Sequence, residues 1–309
     1  MTAPWENWLT RLRHVPRRAL DELTRLRQYR AQYYLDNGYV HVSEDRWGRR
    51  RDERFARINT LRALVDYPEL LHYDPPTPAQ GDWSVRRINL LAANLPRCTR
   101  YLEIGIFEGK TLENVAVRRR VGVDPMPRFD VDRPPRRCRI AVMTSDEYFR
   151  GPGANERFDV AFIDGLHTVD QTYRDVVNAF AHVSGPLLID DTVPVDAISA
   201  IPDQAESYRA RDETGIPGRQ WHGDVWRVVL LFERHHPELE WRTIVDGGNP
   251  QTLVWRRVRR ASVEAVSVAQ MHDATVPTYD EIFASGTPDF FRATSEKEAL
   301  AQCISALRR

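Results

Sequence analysis

The chain has 309 residues, 42% of them hydrophobic and 10% aromatic, which supports a sizeable core and excludes a wholly disordered protein. Its 44 basic and 44 acidic side chains cancel to a formal net charge of 0, so the basic excess of a protein built mainly to bind nucleic acid is missing, and no nucleic-acid partner is expected. No run approaches the ~20 apolar residues of a membrane helix, Met1 to Leu20 lacks a signal-peptide core, and Cys98, Cys138 and Cys303 are too scattered for a disulfide framework or a zinc site; a soluble, cytoplasmic protein is expected.

Residues 1–80 read as a polar, arginine-rich arm that is helical in pieces, with Trp5, Leu9, Leu12 and Val15 at helical spacing. The basic run Arg49-Arg50-Arg51 follows Gly48 in a turn, and the acids Asp45, Asp52 and Glu53 make it a solvated face. An arm of this kind could pair copies of the chain into a homo-oligomer. Pro75, Pro76, Pro78 and Gly81 mark its end. Residues 81–260 form the main domain. Ser84 opens a helix to about Leu95, and then short apolar strands alternate with helices. Strands are expected at 101–104, 121–123, 139–143, 159–163 and 186–189, with an amphipathic helix over 168–182. Residues 192–221 read as a long loop, 224–235 as a helix, and 240–245 with 252–258 as a hairpin. The expected fold is α/β: a doubly wound, mostly parallel, seven-stranded sheet with helices on both faces, followed by a C-terminal extension over 261–309.

Ligands of open α/β sheets bind beyond the carboxyl ends of the strands, so the residues just after each strand carry the information. After the first strand, Gly105 permits unusual backbone angles and Gly109 lets a ligand approach the chain before the next helix. The spacing fits neither the G-x-G-x-x-G of nicotinamide enzymes nor a P-loop, in which Gly109-Lys110-Thr111 would stand one residue too early. Glu103 at the strand end can accept a hydrogen bond from an ammonium group, which an amino-acid-bearing cofactor supplies. Asp124 after the second strand can take both hydroxyls of a ribose, or cap a turn before Pro125. Ser145-Asp146 after the third can meet an adenine amino group, or cap a helix.

In this order, Tyr-Leu-Glu-Ile-Gly-Ile-Phe-Glu-Gly (101–109), Val-Asp-Pro (123–125), Ser-Asp (145–146) and Phe-Ile-Asp-Gly-Leu-His (162–167) resemble the Rossmann-like methyltransferases, over roughly residues 84–257. The nearest subgroup acts on sugars and natural products. The resemblance implies S-adenosylmethionine bound across the first four strand tips, with Glu103, Gly105, Asp124 and Asp146 as contacts. A nicotinamide-dependent oxidoreductase and a non-catalytic binding module are the alternatives.

Asp164 follows the fourth strand and Asp190-Asp191 the fifth. Three carboxylates gathered beside a cofactor repel one another, and oxygen ligands of this kind suit Mg²⁺ or another hard divalent cation. Asp164, Asp190 and Asp191 also match positions of the metal-dependent O-methyltransferases, and the base that those enzymes place three residues past the first acid corresponds to His167. That resemblance implies a metal that orients the acceptor hydroxyl and a histidine with a pKa near neutrality that removes its proton. Each group also has a plain reading: Asp164 as a helix cap, His167 as a surface residue, Asp190-Asp191 as a solvated strand end. Trp221 and His222 could face the acceptor pocket, Asp224 could cap the next helix, and Asp203 and Arg209 could touch a small-molecule acceptor.

Overall fold

The structure is a computed structural model that describes residues 83–95, 98–134, 137–259, 261–272 and 278–308, together with the backbone of 41–43 and 46–47. In the arm, β1 (His41–Ser43) and β2 (Arg46–Trp47) pair antiparallel. The expected helices of the arm, the Arg49–Arg51 turn and the boundary at Pro75–Gly81 lie outside the described residues.

The domain begins with α1 (Trp83–Asn94) and β3 (Arg100–Ile104), then α2 (Lys110–Asn114), β4 (Arg119–Val123), β5 (Cys138–Ala141) and α3 (Ser145–Arg150). It continues with β6 (Val160–Ile163), α4 (Val169–His182), β7 (Leu187–Ile189), α5 (Gln204–Thr214), α6 (Trp226–His235), β8 (Leu239–Ile244) and β9 (Gln251–Arg256). The tail adds α7 (Val268–Met271), α8 (Tyr279–Phe283), β10 (Ala293–Thr294) and α9 (Glu296–Arg308). One sheet runs in the order β10-β8-β9-β7-β6-β3-β4-β5. Neighbours from β7 through β5 are parallel, whereas β9 is antiparallel to both β7 and β8.

Strand alternation divides the core into two layers. Leu102, Ile104, Val121, Val123, Ile163 and Ile189 face Val176 and Phe180 of α4 and Val229 of α6. Tyr101, Val160, Phe162 and Leu188 face the opposite layer, with Ile88 and Leu91 of α1 and Leu300 and Ile304 of α9. Each fully buried aliphatic side chain stabilises the fold by roughly 1.5–3 kcal/mol.

Four expectations change. The sheet has eight strands, because β10 pairs parallel with the edge of β8. Two residues are too short to leave a periodic pattern. The stretch 192–221 is not all loop: it contains α5, capped by Asp203, which accepts the Glu206 N–H at 2.7 Å. Only Ser207 and Arg211 of this helix are buried, so it carries no apolar stripe to betray it. Asp203 thus caps a helix and is not among the residues that line the cleft at the carboxyl ends of the strands. Asp224 accepts the Val169 N–H at 2.7 Å, so it satisfies the first turn of α4 instead of capping its own helix.

Candidate active site

A cleft of about 740 Å³ opens at the carboxyl ends of β3, β4, β6 and β7, a volume within the ~300–1,000 Å³ of small-molecule sites. Gly105, Asp124, Ser145, Asp164, His167 and Asp191 all line it. The strand tips are tied together by backbone bonds: the Asp164 N–H donates to the Ile104 carbonyl at 2.8 Å, and the Gly105 N–H to Val123 at 2.9 Å. Gly105 has φ +81°, and a Cβ there would stand 1.9 Å from the Asp164 carbonyl oxygen. No side chain fits between the β3 and β6 tips.

Asp124 organises the floor. Its Oδ2 accepts the Ile106 and Phe107 N–H groups at 2.9 Å each, and its Oδ1 accepts that of Met126 at 2.7 Å. A carboxylate has about four acceptor sites, so one remains toward the cleft. Beside it, the Ser145 hydroxyl donates to Asp175 Oδ1 at 2.5 Å, and Gln171 donates to the same oxygen at 3.0 Å. Burial raises the Asp175 carboxyl to about 6 against those hydrogen bonds. Sequence reasoning missed Gln171 and Asp175, which both line the cleft. The available signal was a polar i,i+4 pair on a helix whose Thr172, Tyr173, Val176 and Ala179 are buried.

His167 lies between two carboxylates. Its Nδ1–H donates to the Trp221 carbonyl at 2.9 Å and stands 3.5 Å from Asp191 Oδ2, while Nε2 lies 3.3 Å from Asp164 Oδ1. The ring stacks on Trp221 with centroids 5.1 Å apart. The carbonyl fixes the tautomer, so the lone pair of a neutral ring falls on Nε2. Burial favours the neutral ring, but the Asp164 hydrogen bond and the Asp191 charge outweigh it and raise the imidazole to about 9. The expected pKa near neutrality is thereby replaced by a more basic ring. On the other side of Asp191, His222 Nε2 lies 3.4 Å from Oδ1. Burial and the charge of His167 lower His222 to about 4, so it stays neutral.

Four expected site residues stand elsewhere. Glu103 does not line the cleft: alternation places it with Tyr101 on the opposite face of β3, where the Tyr101 hydroxyl donates to it at 2.7 Å. Gly109 is held back from the cleft by the Phe129 ring, 3.0 Å from where its Cβ would be, and its φ of +74° serves the turn into α2. Asp146 faces Arg174, at 3.5 Å, on the outer side of α3. Asp190 does not line the cleft: its Oδ1 accepts the Gln251 amide at 3.0 Å and the Asp191 N–H at 2.9 Å, while burial and the nearby Asp164 charge raise its carboxyl to about 7.

The residues do not fit the expected Mg²⁺. Asp190 is engaged by Gln251, and His167 occupies the space between Asp164 and Asp191. Among the described residues no three acidic, histidine or cysteine side chains are arranged to hold a metal ion.

Glu103 gives a pH test. Burial, against the Tyr101 hydrogen bond, pushes its carboxyl up to about 8 from the ordinary 4.5. Between those values the folded chain keeps a proton that the unfolded chain has released, so this group makes stability fall as pH rises through the window, by on the order of a few kcal/mol in total. Glu103→Gln should remove the slope. Melting curves at pH 5 and pH 9 should show the variant gaining on the parent at the higher pH; parallel curves would contradict a buried, neutral Glu103.

No family model and no curated protein matches the chain. Among solved structures it is similar to Rv0187 from MTB in a cofactor-bound form, at 19% identity over 59% of this chain and 81% of that one, with a TM-score of 0.40. It is similar to an O-methyltransferase from Bacillus cereus in complex with SAH, at 14% identity over 66% and 91%, TM-score 0.38. It is also similar to the O-methyltransferase TomG from Streptomyces achromogenes, involved in tomaymycin synthesis and bound to SAM, at 15% identity over 67% and 91%, TM-score 0.38. These likenesses are distant.

Proposed function

We propose that this chain is an S-adenosylmethionine-dependent methyltransferase acting on a hydroxyl of a small acceptor, such as a sugar or another polyhydroxylated natural product. One observation carries the reading: a single cleft at the strand tips gathers Gly105, Asp124, Ser145 and Asp164 on one wall and sets His167 beside them. The adenosyl ribose faces Asp124, the adenine faces Ser145, and the sulfonium lies toward Asp164. The acceptor enters beneath Tyr208, Gln220 and Trp221, which complete the rim.

The reaction is an in-line displacement. The acceptor oxygen bonds to the methyl carbon, the carbon–sulfur bond breaks with its electron pair going to sulfur, and the hydroxyl proton passes to Nε2 of the neutral form of His167, which is the minor form at neutral pH, so turnover rises as pH approaches about 9. Asp164 and Asp191 stabilise the imidazolium that forms, and the Trp221 carbonyl holds the ring in register. No step is routed through a metal. Alignment of the acceptor with the sulfonium supplies much of the remaining rate. Against the nicotinamide alternative, the Ile106 and Phe107 amides are engaged by Asp124, and α2 is only five residues long, which leaves little of the helix terminus that a pyrophosphate needs. The free thiols of Cys98, Cys138 and Cys303 suit a cytoplasmic enzyme, and no helix of the described residues is long and apolar enough to cross a membrane.

His167→Ala tests the division of labour. The variant should bind S-adenosylhomocysteine within about threefold of the parent, yet lose roughly 10²–10⁴ in turnover of a hydroxylated acceptor. Full activity in the variant would remove His167 from the mechanism.

A further inference from the structure

One buried carboxylate of the cleft has no part in methyl transfer. Among the described residues four aspartates line the cleft: Asp124, Asp164, Asp175 and Asp191. Asp124 takes the ribose, and Asp164 and Asp191 flank His167. Asp175, on α4, is left over. It is 1% exposed, and a carboxylate so buried is costly unless its oxygens are used.

The two oxygens are used unequally. Oδ1 accepts the Ser145 hydroxyl at 2.5 Å and the Gln171 amide at 3.0 Å. That amide is itself oriented, because Arg174 donates to Gln171 Oε1 at 2.5 Å and leaves the NH₂ end facing Asp175. Oδ2 accepts no hydrogen bond among the described residues, yet it is not sealed in the core. It lies toward Gly165 on the cleft wall, 3.5 Å from where a Cβ would be, and no side chain is there to cover it. The acid expected to meet the adenine, Asp146, faces Arg174 on the outer side of α3.

We propose, on the strength of the methyltransferase reading, that Asp175 Oδ2 selects the base of the cofactor by accepting a hydrogen bond from the exocyclic amino group of adenine, with Ser145 and Gln171 positioning the carboxylate. With the ribose on Asp124 the base extends toward Ser145, and so toward this oxygen. Adenine offers a donor at its 6-position, whereas a 6-oxo purine offers an acceptor that a carboxylate repels. Burial raises the Asp175 carboxyl to about 6, against the Ser145 and Gln171 hydrogen bonds and with smaller opposing effects of Asp146 and Arg174. At pH 8 it is therefore ionised and can only accept.

Calorimetry on the full chain at pH 8 compares S-adenosylhomocysteine with S-inosylhomocysteine, its 6-oxo analogue. The parent should bind the first about 10–100-fold more tightly, the worth of one hydrogen bond to a charged group. Asp175→Asn keeps the shape. Ser145 and Gln171 both donate to Oδ1, so the asparagine carbonyl stays there and its amide takes the place of Oδ2. A donor then faces the base, and the preference should shrink to within about threefold or reverse. A carboxylate that only ties α4 to α3 would weaken both ligands by one factor and keep their ratio, which would overturn the proposal. Equal affinities of the parent for the two ligands would overturn it too, with no variant needed, and would leave the methyltransferase reading standing. A folded parent that gives no heat with either ligand at millimolar concentration would sink both.

Discussion

Gly105→Ala is expected to abolish S-adenosylhomocysteine binding and to lower the melting temperature by on the order of 10 °C. Two costs combine. A residue with a Cβ at φ +81° pays roughly 1–2 kcal/mol for the left-handed region. The new carbon would also stand 1.9 Å from the Asp164 carbonyl oxygen and 2.7 Å from the Gly165 Cα, both backbone atoms that cannot rotate aside. Separating the two tips adds about 1–3 kcal/mol of the kind that overpacking produces. It also moves Asp164 away from His167, so the damage falls on the wall and on the reacting end together. Differential scanning calorimetry and a binding titration check both halves. A variant that melts and binds like the parent would show that the tips do not approach as described.

Arg87→Met should destabilise the fold by about 3 kcal/mol or more, and it also loosens Asn249 at the edge of the cleft. Arg87 is fully buried, and its guanidinium donates to the Asp246, Gly247 and Asn249 carbonyls, to Gln251 Oε1 at 2.7 Å and to Glu296 at 3.4 Å. One side chain thereby joins α1, the β8–β9 turn and the start of α9. Burial disfavours its charge, and the carboxylates of Glu296, Asp190 and Asp246 offset that cost. Methionine fills much of the volume but leaves the carbonyls without a donor, whereas Glu296 retains Arg86 at 2.8 Å. Arg87→Lys should recover only part of the loss, because an ammonium cannot span the same fork. Urea denaturation measures both. A change below about 1 kcal/mol for Arg87→Met would mean that the tail is not fastened through this residue.

The five parallel strands were legible because a strand covered on both faces reads as an uninterrupted apolar run, as in Val160–Ile163 and Leu187–Ile189. The tail was not, because α9 is defined by where it docks: Ala299, Leu300, Cys303 and Ile304 acquire meaning only against α1 and the sheet. Within the site, the strand-tip rule brought Gly105, Asp124, Ser145, Asp164, His167 and Asp191 to one cleft. It failed where side-chain direction decides. Glu103 precedes the last residue of β3 and so shares the face of Tyr101, an inference the period of two already allowed. Asp190 and Asp191 do not both line the cleft: the φ of +53° at Asp191 turns the second toward the histidines while the first stays with Gln251. Asp175 lies eleven residues beyond Asp164 on a helix face that looks wholly structural, and only the packing of α4 beside Ser145 reveals it.

The central claim is that the strand-tip cleft holds an adenosyl cofactor. Isothermal titration of the full chain with S-adenosylhomocysteine tests it most directly. One-site binding that is lost in Gly105→Ala and kept in His167→Ala is the predicted result. A folded parent chain that shows no heat with the ligand at millimolar concentration would contradict it.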